Sequence, residues 1–506
     1  MFDLIIKNGK IIDGSGSPAM LADIAVSDGK IKKIGRNLVG AKEIIDATGL
    51  TVTPGFIDSH SHSDRGLLDF PEQVEKIEQG ITLSIAGQCG SSPAPTLDKN
   101  KNPAYYTFGT FIDAAKDKTF GSSTAFLVGH SALRLSVIGP DDRVPTDAEL
   151  EKMIDLLREG LEKGAIGLSF GLFYPPSAYA KMPEILALCK VVADFGGVVS
   201  AHIRDEGDFL AKSVAEFIEI VRKSGVRGVI SHHKAMTRSE NWGKVSHTLR
   251  MIEQANAEGV EIYCDVYPYV ASHTTVSNRF IHKEYHSDGA KGLVKLLSDS
   301  ENRKMLKAQA IADWGEDLSW VLISKCPAYP EYEGKFVSEI ARIHGKDGYE
   351  TVFDMIADSK NVCTACFFTM CEEDVETVMA YPRTMICTDS AVAGNTTVFH
   401  PRLKGTFPRV LGRYVRERKV TTLPDMIRKM TSLPAAVYGL SGKGLLREGF
   451  DADICIFDAD KIIDRAEYAD CNKRCEGLNY VIVGGKIAVK DSVFTGIKSA
   501  KSYLKK

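Results

Sequence analysis

Apolar runs that alternate with amphipathic helical stretches fill most of the chain, and this alternation constrains the fold more than any other feature. Strands that are apolar throughout and rich in β-branched residues are typical of a parallel sheet covered by helices on both faces. The predicted strands are TVTPGFID, ITLSIAG, STAFLVGH, AIGLSFGL, VVSAHIR, GVISHHK, EIYCDVY, VCTACFF and TMICTDS. They number one more than a closed eight-stranded barrel needs, and we expect VCTACFF to lie outside it.

Both ends of the chain have a different pattern, in which short strands are joined by turns. Examples are DLIIKNGKIID near the start and YVIVGGKIAVKD near the end. The span from about 273 to 348 is rich in charge and helix formers and interrupts the barrel repeat. We therefore predict an α/β protein with a distorted (β/α)8 TIM-like barrel over 55–434 and an inserted lid at about 273–348. A small β-sandwich would be built from 1–54 and from 435–506, which includes the C-terminal tail.

Composition narrows the range of partners and compartments. Apolar residues make up 44% of the 506 residues and charged residues 25%, which excludes collagen-like, coiled-coil and wholly disordered chains. The chain has 63 Lys and Arg against 66 Asp and Glu, so it has no excess positive charge that would attract phosphates. Neither nucleic acid nor a membrane is therefore an expected partner. An odd count of 11 cysteines and a start, MFDLIIKNGK, without signal-peptide features predict a cytoplasmic protein.

Two histidines, His60 and His62, closely follow the first barrel run, VTPGFID. Alternate side chains of a strand point the same way, so residues i and i+2 can present two imidazoles to one metal. In a parallel barrel the carboxyl end of the strands is the active-site face. Two solvated loop histidines are the alternative, and the nearby Asp58 and Asp64 favour a polar site without deciding between the two.

Later runs also end in residues that bind zinc. Cys89 closes ITLSIAGQCG, His202 lies in VVSAHIRDEGD, and the pair His232-His233 ends GVISHHK. Each alone is more often a packed or solvated side chain, but their recurrence at one edge of the sheet favours a metal site. Sulfur with imidazole is a zinc-like donor set, whereas carboxylates alone would indicate magnesium or calcium. Only one member of the histidine pair can point inward, because successive strand residues alternate.

Asp389 ends the last run, TMICTDS. Beside a metal, a carboxylate can accept a proton from water and pass it to a leaving amine, as general base and then general acid. A metal lowers the pKa of bound water to about 7, so hydroxide forms at neutral pH and the expected reaction is hydrolysis. A helix N-cap is the other common role of an aspartate in this position.

Longer motifs carry a resemblance over nearly the whole chain. They are Asp13-Gly14-Ser15-Gly16, GFIDSHSHSD, GQCGSSPAP, AHIRDEGD, ISHHK, HPRLKGTFPRVLGRYVRE, RKMTSLPAAVYGL and GLLREGFDADICIFD, and the match is weakest over about 273–390. Together they resemble the N-acyl-D-amino acid deacylases (D-aminoacylases) of the metal-dependent amidohydrolase superfamily. The resemblance implies zinc-dependent hydrolysis of small N-acyl-D-amino acids to a carboxylate and a free D-amino acid.

The resemblance also implies a ligand set. One tightly held zinc would be bound by Cys89, His202 and His232. A second, weaker metal position would be lined by His60, His62 and Asp389, with Asp389 also acting as the general base and acid. Many relatives bridge two metals with a carboxylated lysine on the fourth strand, but AIGLSFGL contains no lysine. This argues against a hydantoinase or dihydroorotase and is consistent with Cys89 in the bridging role.

Three residues match positions that hold the substrate in the family. Arg402, in HPRLKG, would bind the α-carboxylate with its planar fork. Lys234 and Tyr267 would help to hold the carboxylate or the carbonyl. On the sequence alone, a surface lysine and a packed barrel tyrosine remain equally good descriptions of these two residues.

The chain departs from the family around the predicted catalytic aspartate. Relatives usually have Gly-Ser-Asp-Gly there, and this chain has Cys387-Thr388-Asp389-Ser390, followed by the unusual segment AVAGNTTVF. Gln88 also replaces an asparagine before the metal cysteine, and VASHTTVS replaces the usual loop after YPY. These loops would wall the pocket, so the preferred D-side chain and acyl group stay open. The number of metals, the oligomeric state and the pathway are open as well.

Two rival functions follow from the same residues. Another amidohydrolase would cleave cyclic amides or dipeptides, as hydantoinases and isoaspartyl dipeptidases do. A non-enzymatic scaffold on the same fold would be expected to have lost metal ligands, and this chain keeps all of them.

Overall fold

The computed structural model describes residues 1–97, 103–237, 239–392 and 400–505. Its strands, in chain order, are β1 (Phe2–Ile11), β2 (Met20–Ser27), β3 (Lys30–Gly35), β4 (Ala41–Asp46), β5 (Thr51–Pro54), β6 (Phe56–Asp58), β7 (Ile81–Ala86), β8 (Ser123–Gly129), β9 (Gly167–Gly171), β10 (Val198–His202), β11 (Arg227–Ile230), β12 (Ile262–Val266), β13 (Ser272–Thr275), β14 (Val321–Lys325), β15 (Thr364–Phe367), β16 (Thr384–Ile386), β17 (Ile454–Phe457), β18 (Leu478–Val483), β19 (Lys486–Lys490) and β20 (Val493–Phe494).

The α-helices, in chain order, are α1 (Val74–Ile77), α2 (Phe108–Ala115), α3 (His130–Val137), α4 (Asp147–Glu162), α5 (Met182–Asp194), α6 (Leu210–Ser224), α7 (Lys244–Ala257), α8 (Ser277–Phe280), α9 (Gly289–Leu297), α10 (Ser300–Trp314), α11 (Val337–His344), α12 (Gly348–Asp358), α13 (Glu372–Ala380), α14 (Arg402–Arg409), α15 (Leu423–Met430) and α16 (Ser432–Val437). A π-helical segment, Val410–Glu417, continues α14. Within the described ranges, no helix is both long and apolar enough to cross a bilayer.

Eight parallel strands form the predicted barrel, in the order β16-β12-β11-β10-β9-β8-β7-β6. The segments that follow the two outer strands meet through a parallel bridge between Ser61 and Ser390, which closes the barrel. In β8, Ala125 and Leu127 pack in the barrel interior, whereas Phe126 and Val128 pack against the helices. Because both faces are buried, the strand carries no charge and is mainly apolar, and the barrel prediction is confirmed.

Two of the nine predicted runs do not each form a single barrel strand. VCTACFF lies outside the barrel, as expected, since it contains β15 of a separate three-stranded sheet. TVTPGFID is divided into β5, which pairs with the sheet of the chain ends, and β6, which opens the barrel. Gly55 marks the division, because a Cβ at this position would lie only 2.2 Å from Thr82 Oγ1.

The strands of both chain ends belong to one nine-stranded sheet, in which β17 pairs with β5. Its apolar core joins the two ends and includes Leu4, Ile24, Ile454 and Ile482. The small β domain built from both ends is therefore confirmed.

A further unit is inserted between β12 and β16. Strands β13, β14 and β15 form its antiparallel sheet, and its own apolar cluster runs from Val276 to Phe367. The lid expected from the sequence ends at about residue 348. The apolar cluster continues past that point and includes residues of α12 and β15. The domain bounds given above stay a prediction.

Candidate metal centre and active site

The six predicted metal ligands lie together at the carboxyl ends of the barrel strands. They follow or end the strands in chain order: His60 and His62 after β6, Cys89 after β7, His202 at the end of β10, His232 after β11 and Asp389 after β16. The Sγ atom of Cys89 lies 3.3 Å from His60 Nε2, 3.4 Å from His232 Nε2 and 3.8 Å from His202 Nδ1. The fold thus gathers side chains that are distant in sequence around one thiol.

The ligand atoms form two overlapping groups that share Cys89. One group is Cys89, His202 and His232; the other is His60, His62, Cys89 and Asp389. Within each group all ligand atoms lie within 4.8 Å of one another. One sulfur, several imidazoles and a carboxylate are the donor types that zinc prefers, so the residues present fit this metal.

The protonation states of this cluster also suit a metal. Burial lowers the pKa of His60, His202 and His232 well below the usual range, so these imidazoles are neutral, the form that binds metals. Burial, and then the nearby Asp389, raises the pKa of the Cys89 thiol well above its usual range. A divalent cation would supply the missing positive charge and favour the thiolate.

Three of the six side chains project from backbone in the left-handed region. The φ angles are 53° at Cys89, 36° at His232 and 50° at Asp389. A non-glycine residue in this region costs of the order of 1–3 kcal/mol, and such residues cluster at active sites. Gly87 and Gly90, which lie on either side of Cys89, also have positive φ and form a tight turn at the end of the strand. A Cβ at Gly87 would lie 2.0 Å from Leu127 O.

Asp389 lies between the histidines and an arginine. Its Oδ1 is 3.2 Å from His62 Nε2 and 3.5 Å from His60 Nε2, and its Oδ2 accepts a 2.7 Å hydrogen bond from Arg402 Nη1. Burial alone would raise the pKa of Asp389, but the charge of Arg402 and the hydrogen bond with His62 hold that pKa well below its usual range. The carboxylate is therefore ionised at neutral pH.

The contacts of His232, His233 and Lys234 show which histidine of the pair faces the cluster and that the lysine is not at the surface. His233 turns toward α7, where its Nε2 lies 2.9 Å from Thr248 Oγ1. Lys234 is buried, with Nζ 2.6 Å from Glu206 Oε1 and 2.7 Å from His232 Nδ1. Glu206 Oε1 lies 3.1 Å from the same Nδ1 and can accept its proton, which leaves Nε2, facing Cys89, free to bind a metal.

Two contributors were missed by the sequence reasoning. Asp265, on β12, accepts a hydrogen bond from the backbone N–H of His232 through Oδ1, and its Oδ2 is 3.8 Å from His60 Nδ1. Burial raises the pKa of Asp265 to about 7. An acid inside the otherwise apolar run EIYCDVY was the available signal. Asp58, named above only as a polar neighbour, is paired with Lys76, which no feature of the sequence had singled out.

A cavity of about 470 Å³ opens above the cluster. Its lining includes Tyr267 and the cations Arg402, Lys234 and Arg279. Arg402 Cζ lies 5.2 Å and Lys234 Nζ 5.7 Å from the centre of the Tyr267 ring. The structure therefore brings all three predicted substrate-binding residues to the cavity. Most of the unusual segment AVAGNTTVF, 393–399, lies outside the described residues.

Arg279 is an arginine that the sequence did not point to. Its guanidinium lies 5.0 Å from the Trp314 ring and 5.1 Å from the Phe367 ring. No carboxylate of the described residues forms an ion pair with it, and its Nε is buried without a hydrogen-bond partner among them. Among the residues that the structure describes, the hydrogen-bond acceptor at its terminal nitrogens is the thioether of Met236, a weak acceptor 3.9 Å away. The cavity wall thus carries a cation with unused donors.

Comparison with known proteins places this site in a family. The amidohydrolase family profile matches residues 43–489. A D-aminoacylase of Alcaligenes xylosoxydans xylosoxydans is 35% identical over 98% of this chain and 96% of its own. The chain belongs to the D-aminoacylase group of the amidohydrolase family. The resemblance drawn from the sequence motifs is confirmed.

Two further relatives extend the comparison within the D-aminoacylase group. An N-acyl-D-glutamate deacylase of the same organism is 33% identical over 96% of this chain and 93% of its own. The crystal structure of an N-acyl-D-glutamate deacylase from Bordetella bronchiseptica, in complex with zinc and a phosphonate inhibitor, has a TM-score of 0.86 at 33% identity. The match covers 99% of both chains.

Proposed function

We propose that this protein is a zinc-dependent N-acyl-D-amino acid deacylase, which hydrolyses the amide to a carboxylate and a free D-amino acid. One observation carries the proposal: Asp389, kept ionised by Arg402, lies against a buried cluster of Cys89 and histidines. The similarity to a D-aminoacylase and to an N-acyl-D-glutamate deacylase over nearly the whole chain supports it.

The metal would be held by residues already near one another. Cys89, His202 and His232 would bind one zinc tightly, and His60, His62 and Asp389, with Cys89 shared, would line a second, weaker position. Zinc, when bound, polarises a carbonyl and lowers the pKa of water. Glu206 would orient the imidazole of His232 from behind, and Asp265 holds the backbone N–H of the same residue.

Asp389 carries the proton. Since its pKa lies well below the usual range, it is ionised at neutral pH and can accept a proton from the attacking water. The same carboxyl group then donates this proton to the nitrogen of the leaving amine. Arg402 contacts only Oδ2 of Asp389, so Oδ1 stays directed toward the histidines.

We further propose that Arg402, Lys234 and Tyr267 bind the α-carboxylate of the substrate. The two cations flank the Tyr267 ring in the cavity wall, and both are almost fully buried, so an incoming anion would be attracted there. Once the carboxylate and the scissile carbonyl are both held, only one enantiomer can direct its side chain into the remaining space. The site would therefore select one enantiomer, and the similarity to a D-aminoacylase supports the D form.

Arg279 supports a finer proposal about the side chain. Arg279 is partly buried, and its Nε is buried without a hydrogen-bond partner among the described residues, so a carboxylate of a ligand would satisfy a donor that the protein leaves unpaired. Arg279 also lines an adjoining cavity of about 500 Å³, so it stands where the space beyond the metal cluster continues. We propose that the enzyme prefers acidic D-side chains, such as D-glutamate or D-aspartate, whose carboxylate would pair with Arg279.

The compartment follows from the same chemistry. Cys89 must remain a thiol or thiolate to serve as a ligand, and an oxidising compartment would threaten it. We therefore propose a cytoplasmic location, with a small molecule as substrate.

A matched panel of N-acetyl-D-glutamate, N-acetyl-L-glutamate, N-acetyl-D-methionine and a hydantoin tests the function, with zinc content measured on the same sample. We expect hydrolysis of the N-acetyl-D-amino acids only. Equal rates on the L compound would reject the stereochemical assignment. Hydrolysis confined to the hydantoin would favour the cyclic-amide rival, and a metal-free protein without activity would favour the scaffold.

A further inference from the structure

The barrel closes at a seam where the segment after β6 meets the segment after β16. Across it, Ser59 Oγ donates to Ile386 O at 3.0 Å, and Asp389 N donates to His60 O at 2.9 Å. The seam matters for chemistry because His60 and His62 come from one side and Asp389 from the other. Their mutual distances depend on how these two segments are held.

A buried lysine on α1 lies directly beneath the seam. Lys76 is fully buried, and its Nζ donates to groups on both sides of it. The acceptors are Asp58 Oδ2 at 3.0 Å, Thr388 Oγ1 at 2.7 Å, Ser390 O at 2.9 Å and Ser390 Oγ at 2.9 Å. Asp58 stands two residues before His60, and Thr388 and Ser390 directly flank Asp389.

The hydroxyl of Thr388 is the centre of this network. It donates to Asp58 Oδ2 at 2.6 Å and accepts from Lys76 Nζ, from Ser390 N at 3.1 Å and from Ser390 Oγ at 3.0 Å. Asp58 Oδ1 also accepts from Thr388 N at 2.8 Å. Both residues that flank Asp389 are therefore hydrogen-bonded to Lys76, and Thr388 is also bonded to Asp58.

The backbone of Asp389 needs such support. Its φ of 50° is uncommon for a residue with a side chain, and it persists only where neighbouring contacts impose it. Without the network, Asp389 could relax toward ordinary φ values and its carboxylate would turn away from His62. An error of about 1 Å in the placement of a catalytic group can cost about 100-fold in rate.

We propose that Lys76 and Thr388 are positioning residues, which hold the Asp389 carboxylate against His60 and His62 across the barrel seam. The hydroxyl of Ser390 adds a further contact at the seam, since it accepts a hydrogen bond from Lys76 Nζ.

The test replaces the central hydroxyl without changing volume. In Thr388→Val, we expect kcat on the best N-acetyl-D-amino acid to fall by about 10- to 100-fold, as is typical when a supporting partner of a metal site is removed. A crystal structure of the variant should show that Oδ1 of Asp389 has moved out of hydrogen-bond reach of His62 Nε2. Thr388→Ser, which restores the oxygen, should restore both properties.

Thr384→Val is the matched control. Thr384 is a buried threonine of β16 whose hydroxyl contacts Cys264 Sγ at 3.2 Å and does not reach the seam. The Thr384→Val protein should keep the wild-type kcat and the wild-type distance between Asp389 Oδ1 and His62 Nε2. A further variant, Lys76→Met, removes the cation itself. If Lys76→Met does not fold, Thr388→Val still tests whether the network positions Asp389.

A folded Thr388→Val protein with wild-type kcat and an unmoved Asp389 would overturn the proposal. The kinetic part rests on the proposed function, and the crystallographic part does not. If the wild-type protein hydrolyses no N-acyl-D-amino acid, the proposed function fails, and the position of Asp389 in the variant still tests the role of Thr388.

Discussion

Arg402 and Asp389 form an ion pair inside the cavity, with Nη1 of Arg402 2.7 Å from Oδ2 of Asp389 and both side chains almost fully buried. The pair has two consequences. It keeps the catalytic carboxylate ionised, and it places a guanidinium beside the space that a substrate carboxylate would enter. Substitutions at the two positions separate these roles.

Replacing Asp389 with asparagine tests the proton transfer. We expect kcat to fall by about 10²- to 10⁴-fold, since an amide cannot accept a proton from water. The zinc held by Cys89, His202 and His232 should remain, as metal analysis of the dialysed protein would show. Asp464→Asn is the matched control, because Asp464 also pairs with an arginine, at 3.2 Å from Arg409 Nη1, but does not line the cavity. Undiminished hydrolysis by zinc-loaded Asp389→Asn protein would eliminate the proposed base.

Substitution of Arg402 tests the binding of the α-carboxylate. Arg402→Lys keeps the positive charge but loses the planar fork, so kcat/KM should fall more for an N-acetyl-D-amino acid than for its α-carboxamide analogue. Arg402→Met should also destabilise the protein by about 3–5 kcal/mol, because Asp389 would be left buried and unpaired. Denaturant unfolding would measure this. An equal loss of kcat/KM on both substrates would show that Arg402 does not recognise the carboxylate.

Substitution of Arg279 tests the side-chain preference. In Arg279→Met, the ratio of kcat/KM for N-acetyl-D-glutamate to that for N-acetyl-D-methionine should fall by about 10- to 100-fold, the worth of one hydrogen bond to a charged group. Arg204→Met is the control, since Arg204 lines the adjoining cavity but is already paired with Glu216. A ratio that stays constant in Arg279→Met would refute the acidic preference.

Removal of the metal tests the cluster directly. Chelation should lower the free energy of unfolding by about 3–4 kcal/mol relative to protein with zinc at 100 to 1,000 times its dissociation constant. Zinc should restore the stability, and magnesium should not, because the donors are sulfur and imidazole. Thermal unfolding of Cys89→Ala should no longer respond to the chelator. Cys189→Ala, which alters another buried thiol, should respond as wild type does. A wild-type transition that ignores the chelator would contradict the zinc site.

Much of the fold could be predicted because it is encoded in local periodicity. Uncharged and mainly apolar runs, such as ITLSIAG, are typical of strands buried on both faces, and the helices between them complete a parallel barrel. The ligands could be predicted for a similar reason. Zinc-binding residue types recur where successive strands end, and parallel strands all end at the same face.

Contacts between segments that are distant in the sequence could not be predicted from local sequence patterns. Lys76 lies in PEQVEKIEQG, a charged stretch typical of a solvated helix, and only the fold buries it against Asp58 and Thr388. The division of TVTPGFID into two strands depends on Thr82, a residue of the next barrel strand.

By itself, then, the sequence determined the architecture, the family and the residue types of the metal site, because these follow from local pattern and composition. Only the tertiary structure decided which charges meet: Arg402 with Asp389, Lys234 with Glu206, and Arg279 with no carboxylate among the described residues. The reason is physical. The free energy of a charged side chain depends on how far it is desolvated and on charged partners a few ångströms away. Both are set by segments that are remote in the sequence.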